Sequence, residues 1–407
     1  MRIVLIVCAL AGLLVSQPLP VSSPEKEGLS SERLGRLHNE FEKMTREGKK
    51  AGAIVLIARN GKIADWRSFG HRDLETGLPM EKDSICRIWS MTKIVTSVAA
   101  LQLLEEGKIK LTDPVHMYIP ELKDVKVYQS GTADNPVLIP AARPITIKHL
   151  LTHTSGLTYP WGEAAVPELY RRSKVFDVGN LKEFAVKVGQ LPLVAHPGDK
   201  YEYGISTDIL GYVVQVVSDI TFDQFVQKRI LEPLKMKDTS FQLPEAKKPR
   251  LAKTYTLKDG KLGEPPTVAD MPDRGVPFGG MGLYSTIGDY ARFGQMLLNG
   301  GQLDGVRILS RKTVELMTAN HLNHMPKPTI DADNSNGFGL GGSVRIDLAK
   351  GSRLGSVGMF GWGGAASTYF SMDPKEKTIA LLFMQYTPYD SPTLDKFSTL
   401  FYQAIAD

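Results

Sequence analysis

Two stretches near opposite ends of the chain limit its fold most. AGAIVLIARNGKIADWRSFG, from Ala51, is two β-rich runs around Asn60-Gly61, a pair suited to the positive-φ positions of a tight hairpin turn. AASTYFSMDPKEKTIALLFMQY, from Ala365, is two more apolar runs around Asp373-Pro374. Outside the first hairpin lies SERLGRLHNEFEKMTREGK, with Leu34, Leu37, Phe41 and Met44 at helical spacing behind a serine cap. Outside the second lies SPTLDKFSTLFYQAIAD, an amphipathic pattern behind a Ser-Pro start. Hairpins with outer helices at both ends predict an α/β (α+β) chain: one antiparallel sheet built from both termini and flanked by terminal helices. Residues 24–112 and 278–407 would form this part. Residues 113–277 carry helix signals such as ITIKHLLTH, NLKEFAVKVGQL and STDILGYVVQVVSD, and read as a mostly helical insertion.

At 407 residues, 42% of them hydrophobic, the chain can bury a full core as one large domain or two intimate ones. MRIVLIVCALAGLLVSQPLPVSSPEK has a basic Arg2, an apolar run from Ile3 to Val15 and a polar, proline-containing close, the pattern of a secretory signal peptide over residues 1–23. The expectation is a secreted or periplasmic protein; the rival, an uncleaved anchor, needs a span of about 20 apolar residues. No other segment is apolar enough to cross a membrane. Of the two cysteines, Cys8 falls in the leader, so Cys86 has no internal disulfide partner in the mature chain. The net charge of +5 is scattered along the sequence, which argues against nucleic acid as a partner.

RIWSMTKIVTSVAALQLLEEGK contains S-x-x-K at Ser90 and Lys93, in which a neighbouring cation and base make a hydroxyl nucleophilic. The pattern is short enough to recur by chance. Here it opens a helix whose Ile94, Val98 and Leu101 set a buried stripe and which Gly107 closes, so Ser90 lies where backbone N–H groups favour developing negative charge. Read alone, Ser90 is equally a helix cap and Lys93 an exposed side chain. In PGDKYEYGISTDILGYVV, Tyr203 follows a Pro-Gly turn; a tyrosine becomes a base only beside a cation, and Lys93 is the candidate. Tyr201 competes with it, and either is ordinary as a packed aromatic. In Gly361-Trp362-Gly363-Gly364-Ala365 the glycines allow a ligand to lie along a strand edge, or simply make a turn.

Other signals fail. Gly337-Phe338-Gly339-Leu340-Gly341-Gly342 matches G-x-G-x-x-G but opens no helix, so it reads as a loop or strand glycine cluster rather than a dinucleotide site. His149 and His153 are four apart without the glutamate of H-E-x-x-H, and no metal is implied. G-x-S-x-G is absent, which removes the usual α/β-hydrolase elbow.

Together, SMTK, HLLTHTSGLTY, PGDKYEYGISTDILG, GGMGLYSTIGDYARFGQMLLNGG and FGWGGAASTYFSMDP resemble, in order and over nearly the whole mature chain, the serine β-lactamase and penicillin-binding superfamily. The resemblance is to its class C-like branch, with the family VIII carboxylesterases and related acyltransferases. It implies Ser90 as the acylated nucleophile, Lys93 as its cationic partner and Tyr203 as the tyrosine of the Y-x-N element. It also implies that the N–H groups of Ser90 and Ala365 form the oxyanion hole, and that Trp362, Gly363 and Gly364 stand where lactamases carry K-T-G. His153 reads as structural. No cofactor is implied.

Two departures shape the expected activity. Y-x-N is Tyr203-Gly204-Ile205, without the amide-binding asparagine, and K-T-G is Trp362-Gly363-Gly364, without the lysine that meets the β-lactam carboxylate. Losing charge-assisted hydrogen bonds of about 1.5–3 kcal/mol each weakens an anionic lactam, while an aromatic wall suits a neutral ester. The expectation is an exported serine hydrolase acting on small acyl esters. The rivals are a β-lactamase or D-amino-acid peptidase, an acyltransferase, and a non-catalytic binding module on the same scaffold.

Overall fold

In the computed structural model, which describes residues 18–265 and 275–407, the two hairpins form and meet. Strands β1 (Gly52–Arg59) and β2 (Lys62–Asp73) join through Asn60 and Gly61 at φ 53° and 81°, the two left-handed positions that the dipeptide supplies. With β3 (Leu78–Pro79), β4 (Asn336–Phe338), β5 (Ser343–Arg345), β6 (Phe360–Gly364), β7 (Thr368–Asp373) and β8 (Thr378–Met384), they form one eight-stranded antiparallel sheet in the order β4-β5-β6-β7-β8-β1-β2-β3. The join between chain ends is β1 against β8, with Leu56 opposite Leu381.

β1 and β8 are buried along their whole length because helices cover both faces of the sheet, which explains their unbroken apolar runs. Ala53, Val55 and Ile57 face helices α1 (Ser31–Arg46) and α10 (Ser391–Tyr402), meeting Leu34, Leu37, Phe41, Leu394, Phe397 and Phe401. Ile54, Leu56 and Ala58 face the opposite way into the main core. Ser30 caps α1, its Oγ accepting from Arg33 N at 3.2 Å. Arg59, at the end of β1, donates to Glu27 O, Gly28 O and Asp407 Oδ1 and ties both ends of the described chain to the sheet.

The main core joins that inner face to the central segment without a break. Helix α2 (Thr92–Glu105) is buried at every position from Thr92 to Leu103, rather than along one stripe, because it lies between the sheet side and the central helices. Those are α3 (Ile147–Leu151), α4 (Ala165–Arg172), α5 (Leu181–Gly189), α6 (Ser206–Ser218) and α7 (Phe222–Val226). Helix α8 (Ile287–Leu298) packs on the sheet, and α9 (Arg311–Met317) precedes β4. The central segment also holds a hairpin, Lys126–Gly131 with Pro136–Pro140, that its helix signals did not announce. Gly107, at φ 69°, follows the end of α2.

The leader expected at the N-terminus lies, through residue 17, outside the described residues. Leu19 is 2% exposed within the core and Val21 bridges to Ile63, so the residues from 18 to 23 lie against β2. Cys86 is free and buried, and burial pushes its thiol up to about 12. The cluster 337–342 forms the end of β4 and its turn into β5.

Leu56 fills the seam between the two hairpins with no exposure. Leu56→Ala is expected to lower the unfolding free energy by about 2–5 kcal/mol. Chemical denaturation measures this; a loss below about 1 kcal/mol would mean that the seam can collapse around the cavity.

Candidate active site

Ser90 sits in the single 3₁₀ turn Trp89–Met91 that leads into α2. Trp89 is held at φ 47°, an outlier for a bulky residue, with the Arg87 guanidinium 4.0 Å from its ring centroid. The segment 279–286 and α8 fix the turn from the other side. Ile88 N donates to Leu283 O at 3.0 Å, Leu283 N to Thr92 Oγ1 at 3.2 Å, and Tyr290 Oη to Met91 O at 2.9 Å. No side chain caps the turn or α2, so the hydroxyl of Ser90 is not used as a helix cap.

Lys93 lies one helical turn on and is completely buried. Its Nζ donates to Ser90 Oγ at 3.3 Å, Tyr159 Oη at 2.9 Å and Gly280 O at 2.9 Å. The same nitrogen is 4.8 Å from the centroid of the Tyr203 ring. Tyr203, half-buried just before α6, accepts from Trp362 Nε1 on β6 at 3.1 Å. The aromatic side chain in the K-T-G position is therefore also a hydrogen-bond donor to the tyrosine. Ser90, Lys93, Tyr203 and Trp362 thus converge, although they come from three separate stretches of sequence.

Strand β6 approaches the Ser90 turn closely at its end. A Cβ on Gly364 would stand 2.3 Å from Ile88 O, so only glycine admits this contact. Ala365 follows, exposed, at the start of the turn into β7. Gly363 packs against Tyr389 in the same way, a Cβ there falling 2.5 Å from its Oη.

Tyr159, the last residue of HLLTHTSGLTY, enters the site through its hydrogen bond to Lys93. Burial, then Tyr203, Asp208 and Tyr201, push its phenol well above the usual range, so it stays protonated beside the Lys93 amine. Trp161 stacks on it at 4.1 Å between centroids and is 56% exposed, forming an aromatic rim. His153 is buried behind Tyr203, their rings 4.8 Å apart. Burial and then Lys93 hold its imidazole well below the usual range. Its Nδ1 accepts from Gly204 N at 3.3 Å, which leaves the proton on Nε2, toward Thr207. It is a neutral shelf for Tyr203. Tyr201 points to Phe338 and His153 instead of Lys93. Asp208, at the start of α6, is fully buried and accepts from Gly280 N at 2.8 Å. Tyr159 lies in HLLTHTSGLTY and Asp208 in PGDKYEYGISTDILG, but nothing in those strings marks either as a neighbour of Lys93. Among the described residues no group of three or more His, Cys, Asp or Glu is arranged to hold a metal.

Fold and site together are those of a β-lactamase-like serine hydrolase. The chain belongs to the Beta-lactamase family, which it matches over residues 37–401. Among its relatives, Protein Rv1367c of Mycobacterium tuberculosis is 36% identical over 354 residues, covering 84% of this chain and 87% of that one. Esterase EstB of Burkholderia gladioli is 31% identical, covering 63% and 68%. Monacolin J acid methylbutanoyltransferase of Aspergillus terreus is 28% identical, covering 90% and 94%. The solved structure of simvastatin synthase from Aspergillus terreus superposes with a TM-score of 0.81 at 26% identity, covering 92% and 98%. The family thus includes both esterase and acyltransferase homologues of this chain.

Removing the Tyr159 hydroxyl deletes one of the three hydrogen-bond acceptors around Lys93. Tyr159→Phe is expected to slow covalent labelling of Ser90 by a fluorophosphonate roughly ten- to a hundredfold, the equivalent of about 1.5–3 kcal/mol. Labelling at the wild-type rate would remove Tyr159 from the site.

Proposed function

We propose that this protein is an exported serine hydrolase that cleaves small acyl esters through a Ser90 acyl-enzyme. The observation that carries this reading is the Trp362–Tyr203 hydrogen bond beside the buried Lys93. It puts an uncharged aromatic wall where a lactamase-type site needs a cation, while keeping the nucleophile and its base. Phe338 packs edge-on against the same indole at 5.3 Å and extends the apolar wall. An ester with a compact acyl group packs against this apolar wall, and a lactam carboxylate finds an indole where the K-T-G lysine would stand.

In the proposed cycle, the Tyr203–Lys93 pair takes the proton of Ser90 Oγ as that oxygen bonds to the ester carbonyl carbon. The carbonyl electrons move to an oxyanion facing the N–H groups of Ser90 and Ala365. Collapse breaks the carbon–alkoxide bond, and the departing alkoxide takes back the proton. Water repeats the sequence on the acyl-enzyme and releases the acid. An alcohol in place of water makes the same site an acyltransferase, a second reading favoured by similarity to the methylbutanoyltransferase over 90% of this chain. Export is supported by the leader pattern from Arg2 to Val15, which precedes the residues that pack against β2.

Purified protein is expected to turn over a short-chain p-nitrophenyl ester and barely to turn over a chromogenic cephalosporin, with Ser90→Ala silent on both. Ester turnover that survives Ser90→Ala would sink the assignment. Adding a primary alcohol and following transesterified product separates transfer from hydrolysis. Trp362→Phe keeps a wall but removes the indole N–H, and is expected to lower ester kcat by roughly tenfold with KM little changed, the signature of a group acting on the base. A rise in KM alone would assign Trp362 to substrate binding only.

A further inference from the structure

Lys93 is buried with no exposure, and its three hydrogen-bond partners, Ser90 Oγ, Tyr159 Oη and Gly280 O, are all uncharged. Among the described residues no carboxylate lies within ion-pair distance of it. A buried ammonium with only neutral partners is strongly disfavoured unless a charge compensates it through the low-dielectric interior. Asp208 lies just across Gly280. Its Oδ1 accepts from Gly280 N at 2.8 Å, while Gly280 O accepts from Lys93 Nζ at 2.9 Å. Its Oδ2 is buried without a hydrogen-bond partner.

That orphan oxygen separates Asp208 from an ordinary structural carboxylate. Asp289, equally buried on α8, takes Asp238 N at 2.7 Å and Thr239 Oγ1 at 3.0 Å on one oxygen and holds the neighbouring loop. Asp208 holds Gly280, leaves an oxygen unused, and is joined to the amine through the Gly280 peptide. We propose that Asp208 is a positioning residue, the buried counter-charge that keeps Lys93 an ammonium beside Ser90, linked to it through the backbone of Gly280. The proposal rests on the Ser90 acyl-enzyme reading.

The arrangement makes the site sensitive to acid. Burial pushes the Asp208 carboxyl up to about 6, with Lys93 and Gly280 N–H pulling the other way. Above that pH Asp208 is charged and Lys93 is compensated; as pH falls through it, Asp208 takes a proton and the compensation is lost. The other titratable groups facing the pair are Tyr159, Tyr203 and His153. Tyr159 is held protonated and His153 neutral, so neither changes charge in this window.

The test is the second-order rate of Ser90 labelling by a p-nitrophenyl phosphonate, followed between about pH 5 and about pH 10 in the full chain and in Asp208→Asn. Asparagine retains an oxygen for Gly280 N and removes the charge. The wild type is expected to lose rate below an acid limb near 6. The variant is expected to lack that limb and to label roughly tenfold more slowly at neutral pH. A variant with the wild-type rate and the acid limb unmoved would overturn the proposal, as would a wild type with no acid limb, a result independent of whether the variant folds. Absence of Ser90 labelling in the wild type would remove the acyl-enzyme reading and this proposal together, whereas labelling with an unmoved profile removes this proposal alone.

Discussion

A fully desolvated amine beside a hydroxyl is the constraint around which the rest of this site is organised. Lys93 can stay there only if several backbone and side-chain oxygens are brought to it from distant parts of the chain, because water is excluded. That requirement accounts for the Gly279–Ser285 stretch running past α2, for Tyr159 arriving from the loop after α3, and for the burial of α2 on every side. It also accounts for the strain at Trp89: the turn is not a relaxed helix entry but a bend held in place by Leu283, Thr92 and Tyr290. Conformations of this kind persist only where surrounding contacts over-determine them.

The sheet and the helical segment divide the work. The sheet contributes the edge of β6, with its glycines pressed against Ile88 and Tyr389 and its indole on Tyr203. The helical side contributes the nucleophile, the amine and both tyrosines. Because a single core runs through both, the two halves of the site are held by the same packing, and a shift of the sheet would be felt at Ser90.

Much of the fold was legible because its signals were local. Asn60-Gly61 dictates its own turn, and the unbroken apolar runs of β1 and β8 reflect burial on both faces. Ser90, Lys93, Tyr203 and Trp362 were legible as types in an order, since each carries a short motif, and the structure brings them together. What they do to one another was not. Trp362 was read as a wall where a cation had been lost, and its N–H on Tyr203 appears only once β6 lies beside α6. Tyr159 and Asp208 escaped because a buried partner is defined by what surrounds it, and no residue spacing records that. The even burial of α2 is not local either: its apolar stripe is visible in the sequence, but the burial of Thr96 and Ser97 depends on the neighbouring elements that close over them.

The pairing of β1 with β8 has a further meaning for how the chain comes into being. Ala53 finds its partner in Met384, so a strand that is apolar on both faces waits for one made several hundred residues later. Contacts so distant in sequence form slowly, because the whole intervening chain must first be brought to order. Until then the β1–β2 hairpin presents an unpaired edge that can seek other strands. The sheet that gives the site its rigidity thus cannot close until both strands of this distant pair are present.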